Sequence, residues 1–148
     1  MIPRYGEPRE SAQHYRRRPG AYALLVRDDR VLLTHQQIPH DEFQLPGGGI
    51  DRGESALQAL HREVYEETGW RIAPLRRLAA FRRFTFMPEY NLWAEKLCTI
   101  YLARPVRRLS APAEPGHSAH WVHPAEAAAL VGNPGDAEVI RRALRGEL

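Results

Sequence analysis

The sequence predicts an α/β fold, an α/β/α sandwich built on a central mixed β-sheet. Three observations carry this. Short apolar runs with strand-like composition recur along the chain and are interrupted by one helical stretch, Ser55 to Thr68, which is free of Gly and Pro. Two further helical stretches close the chain, from Pro124 and from Asp136, which puts the first helix on one side of the sheet and the late helices on the other. At 148 residues the chain forms one domain large enough to bury a core.

Bulk properties narrow the class. Hydrophobic residues make up 43% and charged residues 26%, as in ordinary soluble globular proteins. Cys98 is the only cysteine, which excludes an intrachain disulfide and a cysteine metal cluster. It lies in an apolar run and reads as a buried, inert thiol. No apolar run approaches about 18 residues and the N-terminus lacks a secretory apolar core, so a cytoplasmic protein without a membrane span is expected. The net charge of +3 and pI near 9.3 come mostly from arginine, a bidentate phosphate binder. A basic body suits a polyanionic substrate or RNA, and net charge does not separate the two.

Residues 1 to 19 are polar, rich in Arg and Pro, and aperiodic, and read as a flexible basic arm ahead of a domain at 20 to 148. Arg16-Arg17-Arg18 is then solvated, or touches phosphates or the partner subunit of a homodimer. Ala21 to Arg27 and Val31 to His35 read as a hairpin turning at Asp28-Asp29-Arg30. Gln36 to Glu42, with Pro39, His40 and Asp41, reads as a polar loop. Phe43-Gln44-Leu45 is a short strand leading into Pro46 and the run Gly47-Gly48-Gly49, where absent side chains would let backbone approach a metal or phosphate.

The first helix is made of good helix formers, with Gly69 available as a left-handed cap. At about 100° per residue, Leu57, Leu60 and Val64 fall on a core-facing stripe. Glu63, Glu66 and Glu67 fall on an adjoining arc shared with Ala56 and Ala59. Like charges at this spacing repel, and two of them also oppose the helix dipole. A cluster of hard carboxylate oxygens is what a divalent cation such as Mg²⁺ relieves. Arg62 is the i, i+4 partner of Glu66 and can fix a ligand's orientation.

Beyond the helix, Arg71 to Phe86 contains strand-like runs broken by Pro74, and Met87 to Asn91 is a loop. Arg76-Arg77 and Arg82-Arg83 either line a phosphate path or form the wet side of the sheet. Leu92 to Ala103 is a long central strand and residues 104 to 119 a long loop. His120-Trp121-Val122 is a last strand, Pro124 opens a helix through Val131, and Asp136 caps a final helix through Leu144.

The stretch Leu45-Pro46-Gly47-Gly48, then Glu54, then Arg62-Glu63-Val64-Tyr65-Glu66-Glu67-Thr68-Gly69-Trp70 resembles the Nudix box of the Nudix (MutT-like) hydrolases. The resemblance covers about residues 20 to 145. It implies the α/β/α Nudix sandwich and hydrolysis of a nucleoside diphosphate linked to another group X, a small-molecule substrate. It also implies Mg²⁺ or Mn²⁺ held by Glu63, Glu66 and Glu67 with the backbone oxygen of Gly48, and Gly47, Gly48 and Arg82 on the substrate. Glu54 would support the metal site. The general base would be Glu63 or a loop carboxylate such as Glu114, whose segment resembles the loop that carries an extra glutamate in several members; Glu63 is preferred. His117 and His120 lie near that loop.

Some members read an oxidised base with an asparagine near the start of the last helix. Asp136 stands there, with Asn133 three residues early. Pro88 and Tyr90 fall where other subclasses carry Tyr or Pro markers, without matching spacing, and the coenzyme A and NADH signatures are absent. Two alternatives are open: removal of pyrophosphate from the 5′ end of RNA, and nucleotide sensing without cleavage.

Overall fold

The computed structural model describes residues 1–38 and 41–148. Pro39 and His40, in the expected polar loop, lie outside the described residues. Strand β1 (Arg16–Arg27) turns into β2 (Arg30–Gln36) through Asp28 and Asp29, both at positive φ, 51° and 59°. Two such residues give the tight mirror-image turn whose twist suits a hairpin. β3 (Glu42–Gln44) and β4 (Gly47–Gly49) follow, then α1 (Ala56–Thr68). β5 (Trp70–Met87), a single 3₁₀ turn at Pro88–Tyr90 and β6 (Leu92–Arg108) form the longest hairpin. β7 (His117–Val122), α2 (Pro124–Leu130) and α3 (Pro134–Leu144) complete the chain.

The sheet runs β3-β2-β1-β6-β5, with β7 on β2 and β4 on β1. β1 lies parallel to β6 over Arg16 to Leu25, and the other pairs are antiparallel, so the sheet is mixed. One edge of β1 is shared. Along β1, β2 pairs with Val26 and Arg27, and β4 takes the place beside Gly20, Ala21 and Tyr22. The three glycines are thus a short strand seated where the hairpin diverges.

Alternation along β1 sorts the core into two layers. Ala21, Ala23 and Leu25 pack under Leu60 and Val64 of α1 with Leu32 and Ile72. Tyr22 and Leu24 pack on the other side with Phe81, Cys98 and Ile100, beneath Ala127 of α2 and Val139 and Ile140 of α3. This is the α/β/α sandwich. Cys98 is buried and free, and burial pushes its thiol up to about 12.

Several sequence expectations need correction. Arg16, Arg17 and Arg18 are not in a solvated arm; their backbone opens β1 opposite Ala94, Glu95 and Lys96. The residues before them lie along β5. Tyr5 N–H donates to Arg82 O at 3.0 Å, its ring meets Phe81 edge-on, and Tyr15 does the same to Phe84. Leu57 is 45% exposed; the buried side of α1 is Ala59, Leu60, Val64, Glu67 and Thr68, turned toward the glycine strand. Pro74 does not break β5, because a register shift follows it and absorbs the missing donor. β6 continues to Arg108 and β7 begins at His117, so the long loop is shorter than expected. The cap of α3 is Asn133, whose side chain accepts from Gly135 N–H at 2.9 Å, and Asp136 lies inside the first turn. No helix among the described residues is long and apolar enough to cross a membrane.

Candidate active site

α1 brings the carboxylates to the glycine strand, and its ends are set locally. Ser55 and Gln58 form a reciprocal capping box, and Gly69 N–H returns to Tyr65 O at 2.8 Å. Between them, Glu67 points inward. Its Oε1 accepts from Gly47 N–H at 2.8 Å, and the residue is only 4% exposed. Gly47 has φ +143°, and a Cβ there would collide with the carbonyl oxygen of Ala21. At Gly48 a Cβ would lie 2.5 Å from the carboxyl carbon of Glu63. The missing side chain at Gly48 thus makes room for the Glu63 carboxylate, and the one at Gly47 lets β4 lie close on β1.

Arg62 organises the outer side. Its Nε and Nη2 donate to the two carboxylate oxygens of Glu54 at 2.8 and 2.9 Å, Nη2 also to Gly49 O at 3.0 Å, and Nη1 to Glu63 Oε1 at 2.9 Å. The expected partner Glu66 is the most distant, at 3.5 Å. A planar fork can serve Glu54, Glu63 and the glycine strand together, which a single i, i+4 contact does not require. The hydrogen bonds from Arg62 hold the Glu54 carboxyl down at about 2, and Glu54 in turn raises the guanidinium.

The remaining carboxylates are left short of positive charge. Burial raises Glu63 and Glu66 above the ordinary carboxylate range despite Arg62, and raises Glu67 well above it despite the Gly47 hydrogen bond. Glu114 joins them. Ala113 and Glu114 donate their N–H groups to Glu66 O at 2.8 and 3.3 Å, anchoring the loop on the end of α1. Ligand atoms of Glu63, Glu66 and Glu114 lie within 4.8 Å of one another, as do those of Glu67, Glu114 and His117. His117 Nδ1 is 3.2 Å from Glu114 Oε2 and 3.8 Å from Glu67 Oε2, yet it is buried without a hydrogen bond among the described residues. Crowded, desolvated hard oxygens with one spare nitrogen fit a divalent cation such as Mg²⁺ or Mn²⁺.

These groups open into a cleft of about 320 Å³. Gly47, Gly48, Glu63, Glu67, Glu114 and His117 line it together with Arg18, Tyr22, Tyr90 and Lys96. Arg82 is not brought there. It alternates to the other side of the sheet from Arg83 and leans toward Glu95 at 4.0 Å. His120 is also elsewhere, bonded to Ser118 Oγ at 2.8 Å. Asp136 is buried behind Leu45, whose N–H it accepts at 3.3 Å, and burial lifts its carboxyl to about 6.

His117 and Lys96 are cleft residues that sequence reasoning left unassigned, and Arg18 is one for which it left solvent, phosphate and a partner subunit open. For His117 the signal was its i+3 spacing from Glu114. Lys96 carried none, because its proximity to Arg18 arises from a parallel pairing between distant segments.

Known proteins share these features. The NUDIX domain family profile matches residues 16–143. A Bacillus subtilis (strain 168) protein provisionally named 8-oxo-dGTP diphosphatase is 32% identical over 74 residues, 50% of either chain. An RNA pyrophosphohydrolase of Ruthia magnifica subsp. Calyptogena magnifica is 38% identical over 72 residues, 47% of this chain and 40% of that one. The matched stretch thus spans half or less of these relatives. A NUDIX hydrolase structure from Nitrosomonas europaea superposes with a TM-score of 0.73 at 23% identity, over 89% of this chain and 91% of the other. At that identity the likeness is one of fold.

Proposed function

The chain belongs to the NUDIX domain family, and on that premise we propose that it hydrolyses the pyrophosphate bond of a nucleoside diphosphate linked to another group X. The observation that carries this reading is that Glu63 and Glu67 reach the side-chain-free strand Gly47–Gly49, while Glu114 lies within ligand distance of Glu63 and Glu66 on one side and of Glu67 and His117 on the other. Glu63, Glu66 and Glu67, with the backbone oxygen of Gly48, would hold Mg²⁺ or Mn²⁺; Glu114 and His117 are close enough to share in it. Such an ion, when bound, neutralises diphosphate charge and lowers the pKa of a coordinated water.

The residues of the chain do the positioning. Arg62 fixes the Glu63 carboxylate through Nη1 while Glu54 keeps the guanidinium in place. Glu63 takes the proton of the attacking water, its burial having raised its basicity. Glu114, on the loop above, is the alternative base. The side-chain-free strand β4 leaves room for the phosphates beside the carboxylates, in a reaction that is mainly positioning and electrostatics.

A second substrate class is the 5′ end of RNA. The relatives named RNA pyrophosphohydrolase and the net charge of +3 favour it. Sensing without cleavage is disfavoured by the complete set of box glutamates. A cytoplasmic setting belongs to this reading and agrees with the single reduced cysteine.

The test is a panel of nucleoside diphosphate derivatives, nucleoside triphosphates and 5′-triphosphorylated RNA, assayed in Mg²⁺ and in Mn²⁺ with products identified by phosphorus NMR. Metal-dependent cleavage between two phosphorus atoms is expected. Tight nucleotide binding with no product from any member of the panel would overturn hydrolysis in favour of sensing.

A further inference from the structure

Three cations stand in one row across three strands. Lys96 of β6 is in register with Arg18 on its parallel neighbour β1 and with Arg83 on its antiparallel neighbour β5. Residues paired in register project to the same side of a sheet. Like charges placed directly opposite one another destabilise the pairing. The side chains on the reverse face handle the same difficulty differently: Arg17 and Arg82 both lean on Glu95, at 3.5 and 4.0 Å. No carboxylate lies in ion-pair contact with Arg18, Lys96 or Arg83 among the described residues. Asp136, near Lys96 and Arg83, is buried and bonded to Leu45 instead.

Arg18 and Lys96 are half-buried and line the same cleft as Glu63, Glu67 and Glu114. Aromatic faces hold both without neutralising them. The Arg18 guanidinium sits 4.5 Å from the ring centroid of Tyr90 and the Lys96 ammonium 5.9 Å from that of Tyr22. Gly20 of β1 is the partner of Gly49. Arg18 is two residues further along the strand, so its backbone is about 7 Å beyond the glycine strand, within side-chain reach of a group adjoining whatever β4 binds. Glu89, also on the cleft wall, lies on the exposed 3₁₀ turn and makes no ion pair with either cation among the described residues.

We infer that Arg18 and Lys96, backed by Arg83, bind a further phosphate adjoining the diphosphate held at the carboxylate end, so that the site prefers a 5′-linked chain of three or more phosphates. This rests on the hydrolase reading of the carboxylate end. The ligand is an oligophosphate whether it comes from a free nucleotide or from the 5′ end of RNA. A phosphate lying between two unpartnered cations in register would relieve their mutual repulsion.

The test is calorimetric titration of the full chain with inorganic pyrophosphate and tripolyphosphate in Mg²⁺, with kcat/KM measured in parallel for a nucleotide sugar, a nucleoside triphosphate and a 5′-triphosphorylated RNA. Tripolyphosphate should bind the wild type about tenfold tighter or more, the scale of one or two charge-assisted hydrogen bonds. Arg18→Gln and Lys96→Gln should each remove most of that advantage while leaving pyrophosphate affinity within about twofold, Lys96→Arg should restore it, and Arg17→Gln on the reverse face should retain it. A faster triphosphate reaction in either kinetic arm supports the inference, and the faster arm names the source. Equal wild-type affinity for the two inorganic ligands, or an advantage that survives both glutamine variants, would overturn the inference and leave hydrolysis standing. Failure of the wild type to bind or cleave any of them would overturn both. The wild-type comparison stands even where a variant fails to fold.

Discussion

Glu67 Oε1 accepts a 2.8 Å hydrogen bond from Gly47 N–H, joining the most buried acid of α1 to the first residue of the glycine strand. The bond needs an oxygen at that position and does not need a charge. Glu67→Gln should therefore keep the fold, with a melting temperature equal to or above that of the wild type. Mg²⁺-dependent turnover should fall on the order of 10²-fold or more, as when one positioned charged group is lost. Undiminished turnover would remove Glu67 from the metal site.

Arg62 makes its bonds through three nitrogens at once. An ammonium at the same place is a point donor and cannot reach Glu54, Glu63 and Gly49 together. Arg62→Lys should lower stability by about 1–3 kcal/mol in urea unfolding and weaken Mg²⁺ binding measured by calorimetry. Wild-type values in both experiments would reduce the fork to an exposed ion pair.

Glu114 reaches the cluster from a loop whose backbone is pinned to Glu66 O. Glu114→Gln preserves the shape and those backbone bonds. If the carboxylate handles protons, kcat should drop by roughly 10-fold to 100-fold with KM changed less than about twofold. A rate within twofold of the wild type would leave it a bystander.

Raised carboxyl values make stability depend on pH in a stated direction. Glu63, Glu66 and Glu67 bind protons more tightly in the folded chain than in the unfolded one. Their contribution is complete below the ordinary carboxylate range and is lost as pH rises through the raised folded values. Glu54 is held near 2 and acts oppositely only at lower pH. Between about pH 5 and about pH 8 the metal-free chain should lose stability from these groups, and Mg²⁺ should raise the melting temperature more at the higher pH. A metal-induced shift independent of pH would contradict this.

Asp136 presents the same sign in isolation. Burial lifts it from 3.8 to about 6 while Leu45 N–H supplies its only hydrogen bond among the described residues. Asn keeps a neutral acceptor. Asp136→Asn should stabilise the chain at about pH 8 by as much as about 3 kcal/mol, with the gain vanishing at about pH 4, as read from urea unfolding at the two values.

What could be read from sequence was what is decided locally. α1, its Gly69 cap, the hairpin turn at Asp28-Asp29 and the closeness of Glu63 to Glu66 all follow from spacings within a few residues. Leu57 misled because the wheel centred the buried stripe on leucines, whereas Glu67 is itself buried by the glycine strand. Pro74 misled because a bulge tolerates it. Asp136 and Asn133 are both good caps by composition, and only the path of the chain after Val131 decides between them. Lys96 was silent for a different reason: it gains its place beside Arg18 from a parallel partner strand many residues away.

The parallel ladder between β1 and β6 has a consequence for how the protein is made. β1 is flanked early by the hairpin and the glycine strand, but its long pairing partner ends at Ala103. Loop closure over that separation costs entropy before any ladder bond repays it, so topologies of this kind fold slowly. On the ribosome, the N-terminal half carries its box helix and glycines to the tunnel exit well before β6 can dock. Until then the edge of β1 that β6 will cover is an open strand, available to other chains, and a nascent-chain chaperone would protect that edge first.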